Sequence, residues 1–389
     1  MDKEEGADVP QEQKATWGAF LKSLTHMTGD LSSMTAPPFI LSPVSLTEFP
    51  AYWCEHPGLF AEISEGTTPQ DRMERVLRWF IATLKGQYTT RNEKMGSEKK
   101  PLNPVLGELF YGVWPDANGR GETQLIVEQV SHHPPITAYF IENKKAGVKL
   151  QGHSGQKTAF TGTAINVKQS GHAILYVTPR TGGPIESYLI TLPKLRIEGI
   201  VWGSPYIELV ETNAIQSSTG FTAQIDYKGR GWVSGKAHTF KATLTQTDHK
   251  KSLQTYEGQW TGVSHIGGSK GPVFLDTSAG VKEEVSVASL EQQGPWESRR
   301  LWEKVAKGIK GANYDLAGTE KSRIENEQRQ RRKDEAAANG TWDLWHFTHV
   351  DAEPEYGRLS TMLHDKLTPA HEDAYIFKEG VQVGSRSTA

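Results

Sequence analysis

The chain has one cysteine, Cys54, so no disulfide can form within it, which suits a reducing compartment. It also lacks any apolar run of about 18 residues, the length a hydrophobic membrane-crossing helix needs. The opening Met1-Asp2-Lys3-Glu4-Glu5 is acidic and polar, where a secretory signal is basic and then apolar. A soluble, cytoplasmic protein is expected. No sign of charge dominates: 43 Lys and Arg stand against 46 Asp and Glu, a formal net charge of -3, which argues against a surface that coats nucleic acid. Any anion site must therefore be local. No His or Cys cluster has zinc spacing, no glycine-rich loop has the phosphate-loop pattern, and no nucleophile is paired with a base. No metal, cofactor or catalytic residue is expected, and the chain is not read as an enzyme. There is no internal repeat.

What is present points to one large unit, since 389 residues with 36% hydrophobic content can bury a sizeable core. Residues 1 to 14 are charged and lack large apolar side chains, which predicts a disordered leader. Trp17, Phe20, Leu21 and Leu24 then fall at i, i+3, i+4 and i+7 of a short amphipathic helix that needs an apolar surface, either the protein's own or a bilayer's. Thr47 can cap a short turn carrying Phe49, Tyr52 and Trp53 to the core. Met73, Val76, Leu77, Phe80, Ile81 and Leu84 keep helical spacing over residues 70 to 85, with Gly86 closing the helix.

After Pro104 the texture turns to short runs of β-branched and aromatic residues between turn clusters. Strands are expected at 109–114, 124–130, 137–142, 148–151, 160–167, 173–177, 188–192, 195–202, 206–210, 222–227, 238–244, 253–260 and 273–275. So long an antiparallel meander leaves costly edges unless it curls, and a barrel of more than about eight strands is too wide to fill itself and can hold a ligand. Beyond residue 295, Trp302, Val305, Ala306 and Ile309 mark an apolar helical stripe, with Gly308 and Gly311 suggesting a loose end. Residues 316 to 336 read as a charged helix, and Trp342, Trp345, Phe347 and Tyr375 can tack the remainder onto the body.

Two groups of residues carry chemistry. Glu128-Gln129-Val130-Ser131-His132-His133-Pro134-Pro135 ends an apolar strand in two imidazoles and two prolines, and the first proline biases His133 toward extended geometry. A strand that breaks there lets both rings reach one site, where protonated imidazoles would hold a phosphate ester; an ordinary exposed loop is the other reading. Lys321, Glu325 and Arg329 lie at i, i+4 and i+8 on a helix, either a solvated ion-pair ladder or a cation source. Lys100 and Asn103 each precede a proline, a stiffened pair of possible phosphate donors or a plain proline loop.

The string from Glu128 to Pro135 resembles the signature of the oxysterol-binding-protein-related lipid transfer proteins, and the likeness continues through Ala36 to Pro43, Gly96 to Pro104 and Ile215 to Gly220. The chain looks most like the short fungal members that consist of the lipid-binding domain alone. That resemblance implies an α+β fold: a large, incompletely or fully closed antiparallel β-barrel around a lipid tunnel, with an N-terminal helical lid and flanking N- and C-terminal helices. Residues 1–28 would be leader and lid, 29–104 an N-terminal helical segment, 105–276 the barrel and 277–389 a C-terminal helical subdomain, all one integrated domain. It implies a protein holding sterol or phosphatidylinositol 4-phosphate one at a time and exchanging them between membranes, or a lipid-gated sensor, or an exchanger of phosphatidylserine. The headgroup would meet Lys100, Leu102, Asn103, His132, His133, Lys321, Glu325 and Arg329, with Glu108 bracing the lysine and Arg331, Arg332 and Lys333 solvated or facing a bilayer. The sterol would meet Trp17, Phe20, Trp53, Gln87, Tyr88 and Gln169, and Ser154 departs from the asparagine of close relatives. A monomer touching Golgi or endoplasmic reticulum membranes transiently is the expected setting.

Overall fold

A computed structural model describes residues 17–20, 22–23, 41–89, 99–202, 205–230, 235–246, 249–280, 282–337, 342–363, 367–368 and 373–380. The leader, Leu21, Leu24, residues 36–40 and residues 96–98, on which several expectations fell, lie outside these. The chain enters through β1 (Leu41–Ser45), which pairs in parallel with β2 (Lys100–Leu102). Between them come a 3-10 turn at Leu46–Cys54 and the long helix α1 (Pro69–Tyr88). The Ser45 side chain, rather than Thr47, caps that turn. Trp53 is buried, whereas Phe49 and Tyr52 are half-buried. Thr68 caps α1 by accepting from Asp71 N at 3.1 Å, and Pro69 sits in its first turn. The helix runs through Gly86 and ends after Tyr88, and it is buried well beyond the expected stripe, Arg72 and Trp79 included. Arg72 reaches Glu186 with two nitrogens, at 2.8 and 2.5 Å, and Tyr188 donates to the same carboxylate at 2.6 Å, so a satisfied buried ion pair joins helix to sheet.

Thirteen strands then form one sheet. In order they are β3 (Leu109–Trp114), β4 (Thr123–His132), β5 (Pro135–Asn143), β6 (Val148–Phe160), β7 (Ile165–Val177), β8 (Glu186–Thr191), β9 (Lys194–Glu198), β10 (Tyr206–Ser217), β11 (Phe221–Lys228), β12 (Thr239–Gln246), β13 (His249–Gln259), β14 (Val263–Ile266) and β15 (Val273–Asp276). All pairings in it are antiparallel, and β9 is inserted beside β7 and β10. The expected strand at 160–167 runs across a hairpin turn, from the end of β6 at Phe160 to the start of β7 at Ile165, and 148–151 is only the start of a strand. β6 and β7 pair from Val148 opposite Val177 to Phe160 opposite Ile165, so a long tertiary ladder holds Gly152-His153-Ser154-Gly155 extended despite poor local propensity. Strand β14 had no counterpart among the expected runs.

The edge at β3 is covered by the chain that leaves β15. Val113 and Ser286 exchange backbone hydrogen bonds at 2.9 and 2.8 Å, and Leu109 N donates to Trp296 O at 2.9 Å. Residues of α1 and inward residues of the strands share one continuous core, with Phe221, Ala223, Ile225 and Tyr227 alternating inward along β11. Past residue 295 come α2 (Glu303–Lys310) and α3 (Tyr314–Ala337). Gly308 is no loose end: a Cβ there would lie 2.7 Å from Ala317 N, so its bare backbone lets α2 and α3 touch. β16 (Phe347–Val350) and β17 (Ala374–Phe377) pair with each other, and Phe347 and Tyr375 pack on Val130, Ala138 and Phe140 of the barrel. Between these two strands the helix α4 (Pro354–Ser360) packs Tyr356 and Leu359 on Ile174, Leu189 and Ala214.

Candidate functional site

The glutamate and glutamine of the eight-residue motif work inward. Glu128, fully buried, accepts from Trp345 N and His346 N at 2.8 Å each, which pins the C-terminal segment to β4. Burial pushes its carboxyl above the usual range, and the backbone donors of Trp345 and His346 oppose that. Gln129 exchanges backbone hydrogen bonds with the loop before β3: its carbonyl takes Gly107 N at 2.9 Å and its N–H meets Glu108 O at 2.8 Å. The register then slips between Gln129 and Ser131. Ser131 Oγ donates to Pro134 O at 2.7 Å across a tight turn through a cis His133-Pro134 bond. As a result both imidazoles stand at one corner, ring centroids 4.8 Å apart at 77°. His132 is half-buried and His133 exposed.

Three distant stretches converge on His132. Its pKa is lowered, by burial first and then by His133; the Pro104 carbonyl and Glu325 oppose this, and Arg332 adds to it. Lys321 and Arg329 both bridge Glu325, the latter at 3.7 Å, and Arg329 also donates to Asn326 Oδ1 at 2.7 Å. Lys321 is 16% exposed and Arg329 61%, so the two cations present very different faces. Lys100 and Asn103 are half-buried around Leu102, which is fully buried against Leu41, Val305 and Ile324 and so ties the β2 loop to α3. Arg332, expected to be solvated or to face a bilayer, is exposed, and because eleven residues are about three helical turns it lies closer to the face of Lys321 than Arg329 does.

Glu108, expected to brace the lysine, is no surface carboxylate. It is fully buried and collects Ser45 Oγ at 2.5 Å, Thr47 Oγ1 at 2.7 Å, Ser298 Oγ at 2.8 Å, Trp302 Nε1 at 2.9 Å and Val105 N at 3.0 Å. Five donors on one carboxylate bolt the loop of Lys100 to Asn103 onto β1 and the start of the C-terminal helices.

The residues expected around a sterol fall in two places. Gln169 Nε2 donates to Tyr88 OH at 2.8 Å and to Pro193 O at 2.7 Å, and Gln87 Nε2 donates to Thr83 Oγ1 at 2.8 Å, so a polar cluster closes the end of α1. Trp53 stacks on Tyr139 at 6.1 Å, and Tyr139 in turn senses the Tyr88 phenol. Trp17 and Phe20 instead pack on Ile165, Ile197, Ile200 and Tyr314, with ring centroids 5.4 Å apart. Trp17 is buried, and its indole N–H has no partner among the described residues. Among the described residues no helix is long and apolar enough to cross a membrane.

A family model described as oxysterol-binding protein matches residues 19–310. The chain belongs to the oxysterol-binding protein family. It is 55% identical over 381 residues to Protein KES1 of Mycosarcoma maydis, covering 97% of this chain and 98% of that one. It is 47% identical over 361 residues to Protein kes1 of Schizosaccharomyces pombe, covering 91% and 92%. Among solved structures it resembles the Osh1 ORD domain in complex with cholesterol, with a TM-score of 0.73 at 22% identity over 97% of this chain and 89% of that one. The Osh3 ORD in complex with PI(4)P from Saccharomyces cerevisiae gives 0.67 at 22% identity over 89% of each. These two likenesses establish the fold, and the family places the His-His corner inside the segment its members share.

Proposed function

We propose that this oxysterol-binding protein family member carries one lipid at a time, a sterol or phosphatidylinositol 4-phosphate, and exchanges them between membranes as one integrated domain. The observation that carries the proposal is the meeting of His132, the Pro104 loop and the α3 residues Glu325 and Arg332 at one corner. Positive groups gathered from three parts of the chain make an anion receptor there, and the sterol-bound and PI(4)P-bound relatives supply the lipid class. In this reading Lys100, Asn103, His132, His133, Lys321 and Arg329 hold the headgroup, Glu325 spaces the cations, and Leu102 supports the loop. The polar cluster of Gln87, Tyr88 and Gln169 receives the sterol hydroxyl, Trp53 lines the wall, and Trp17 and Phe20 close over the guest. Moving about thirty methylenes through water costs on the order of 20 kcal/mol, and an enclosed apolar interior removes that barrier.

The test is transfer between two liposome populations. The protein should speed ergosterol movement one way and phosphatidylinositol 4-phosphate movement the other, each competing with the other for uptake. Binding without accelerated movement would make it a sensor, and exchange of phosphatidylserine in place of sterol would replace half of the reading.

Headgroup binding should also depend on pH. His132 is held toward its neutral form, so a phosphate that prefers the cation must draw in a proton. Affinity for phosphatidylinositol 4-phosphate should therefore rise several-fold as pH falls from about 8 to about 7, where the phosphate, with its second pKa near 6, is still mostly dianionic. Ergosterol affinity measured over the same range should stay flat. A flat headgroup profile would mean that His132 does not touch the phosphate.

A further inference from the structure

Helix α3 carries most of the headgroup cations, yet its buried residues are only Ala317 and Ile324. Both lie before Glu325, so the half bearing Glu325, Arg329 and Arg332 has no apolar anchor of its own. Arg331 takes that part. Its guanidinium lies over both indoles, 4.3 Å from the ring centroid of Trp296 and 4.3 Å from that of Trp342, and the two indoles touch each other with centroids 5.6 Å apart at 58°. Its Nη2 donates to Leu106 O at 2.6 Å and to Gln328 Oε1 at 3.0 Å. At 22% exposure the side chain is largely covered by protein, whereas the sequence had suggested one solvated or turned to a bilayer.

Besides Gln328 and Glu335 of α3 itself, the latter 3.5 Å from its Nε, Arg331 meets the loop below the site and segments that hold it. Leu106 is two residues from Pro104, whose carbonyl faces His132. Gly107 has φ 78°, and a Cβ there would come 2.1 Å from the Trp342 ring, so the loop's backbone lies flat on that indole. Trp296 O takes Leu109 N at 2.9 Å at the start of β3.

We infer that Arg331 is a positioning residue for the headgroup site: lying over the paired indoles of Trp296 and Trp342 and bonded to the Leu106 carbonyl, it sets the height of α3 over the Lys100 to Pro104 loop. The inference rests on the headgroup reading above. A planar guanidinium can lay its face against an indole while its edge bonds a carbonyl, which an ammonium cannot, so lysine is not an equivalent here.

The test compares Arg331→Lys, Trp342→Leu and Trp342→Phe with the wild type, measuring affinity for phosphatidylinositol 4-phosphate and ergosterol in liposomes and amide exchange along residues 325–337. Arg331→Lys should weaken phosphoinositide binding by about tenfold and leave ergosterol within about twofold. Exchange should quicken in the second half of α3. Trp342→Leu should act likewise, the double variant should lose little more than either alone, and Trp342→Phe, which keeps a ring face, should retain most of the affinity. Equal loss of both lipids, or unchanged phosphoinositide binding in Arg331→Lys, overturns the inference. If the wild type takes no phosphatidylinositol 4-phosphate, the headgroup reading itself falls and takes this one with it.

Discussion

Changing His132 and His133 together to Ala should abolish extraction of phosphatidylinositol 4-phosphate from liposomes while ergosterol uptake stays within about twofold. Each imidazolium can supply a charge-assisted hydrogen bond contributing roughly 1.5–3 kcal/mol, so the pair accounts for about two to four orders of magnitude in affinity. The turn should survive the change, because its shape comes from elsewhere. Ser131 Oγ still donates to Pro134 O, and Gln129 Nε2 still donates to Ser131 O at 2.8 Å. Thr137 Oγ1 still donates to Gln129 Oε1 at 2.6 Å across the hairpin. A melting temperature close to the wild type's would show that the loss is one of recognition. If both lipids are lost in parallel, the histidines hold the fold and the proposed anion receptor is wrong.

Replacing Glu108 with Leu should unfold the protein or lower its stability by more than any change at the rim. Five donors now end on one buried carboxylate, and an aliphatic side chain would leave Ser45, Thr47, Ser298, the Trp302 indole and the Val105 amide without that acceptor. The hydroxyls can turn to other acceptors, but the indole and the amide cannot. At about 1–3 kcal/mol for each group left unsatisfied, the loss is on the order of 4 kcal/mol, a large share of a domain's total stability. Glu108→Gln keeps one acceptor oxygen but turns an NH2 toward donors, and should fall between wild type and Leu in urea denaturation. Phosphoinositide affinity of the Gln variant should drop with its stability, since the same loop carries Lys100 and Asn103. A Leu variant as stable as the wild type would mean that these donors find other partners and that Glu108 is not what holds the loop.

Much of the fold could be read from local pattern. Alternation located most of the barrel strands, and the spacing from Met73 to Leu84 located α1, because one buried face of a regular element leaves a periodic trace. Where it failed, local preference was outvoted. Gly152 to Gly155 is extended because it pairs with β7, and Gly308 stays helical while letting α3 approach. The polar interior was the least legible part. Nothing in the neighbourhood of Arg72, Glu108 or Arg331 tells a covered, partnered charge from a solvated one, since the partners that cover it lie mostly far away along the chain.

By itself, then, the order of residues determined which short segments become strands or helices, and it carried a signature specific enough to name the family. Tertiary structure alone decided which charges face one another. It turned Glu108 and Glu128 inward as bolts, laid Arg331 over two indoles, and brought the Pro104 loop and α3 to the neighbourhood of His132. The physical reason is range: periodicity is set by neighbours within a turn or two, whereas the state of an ionisable side chain is set by desolvation and by partners that only the closed chain supplies.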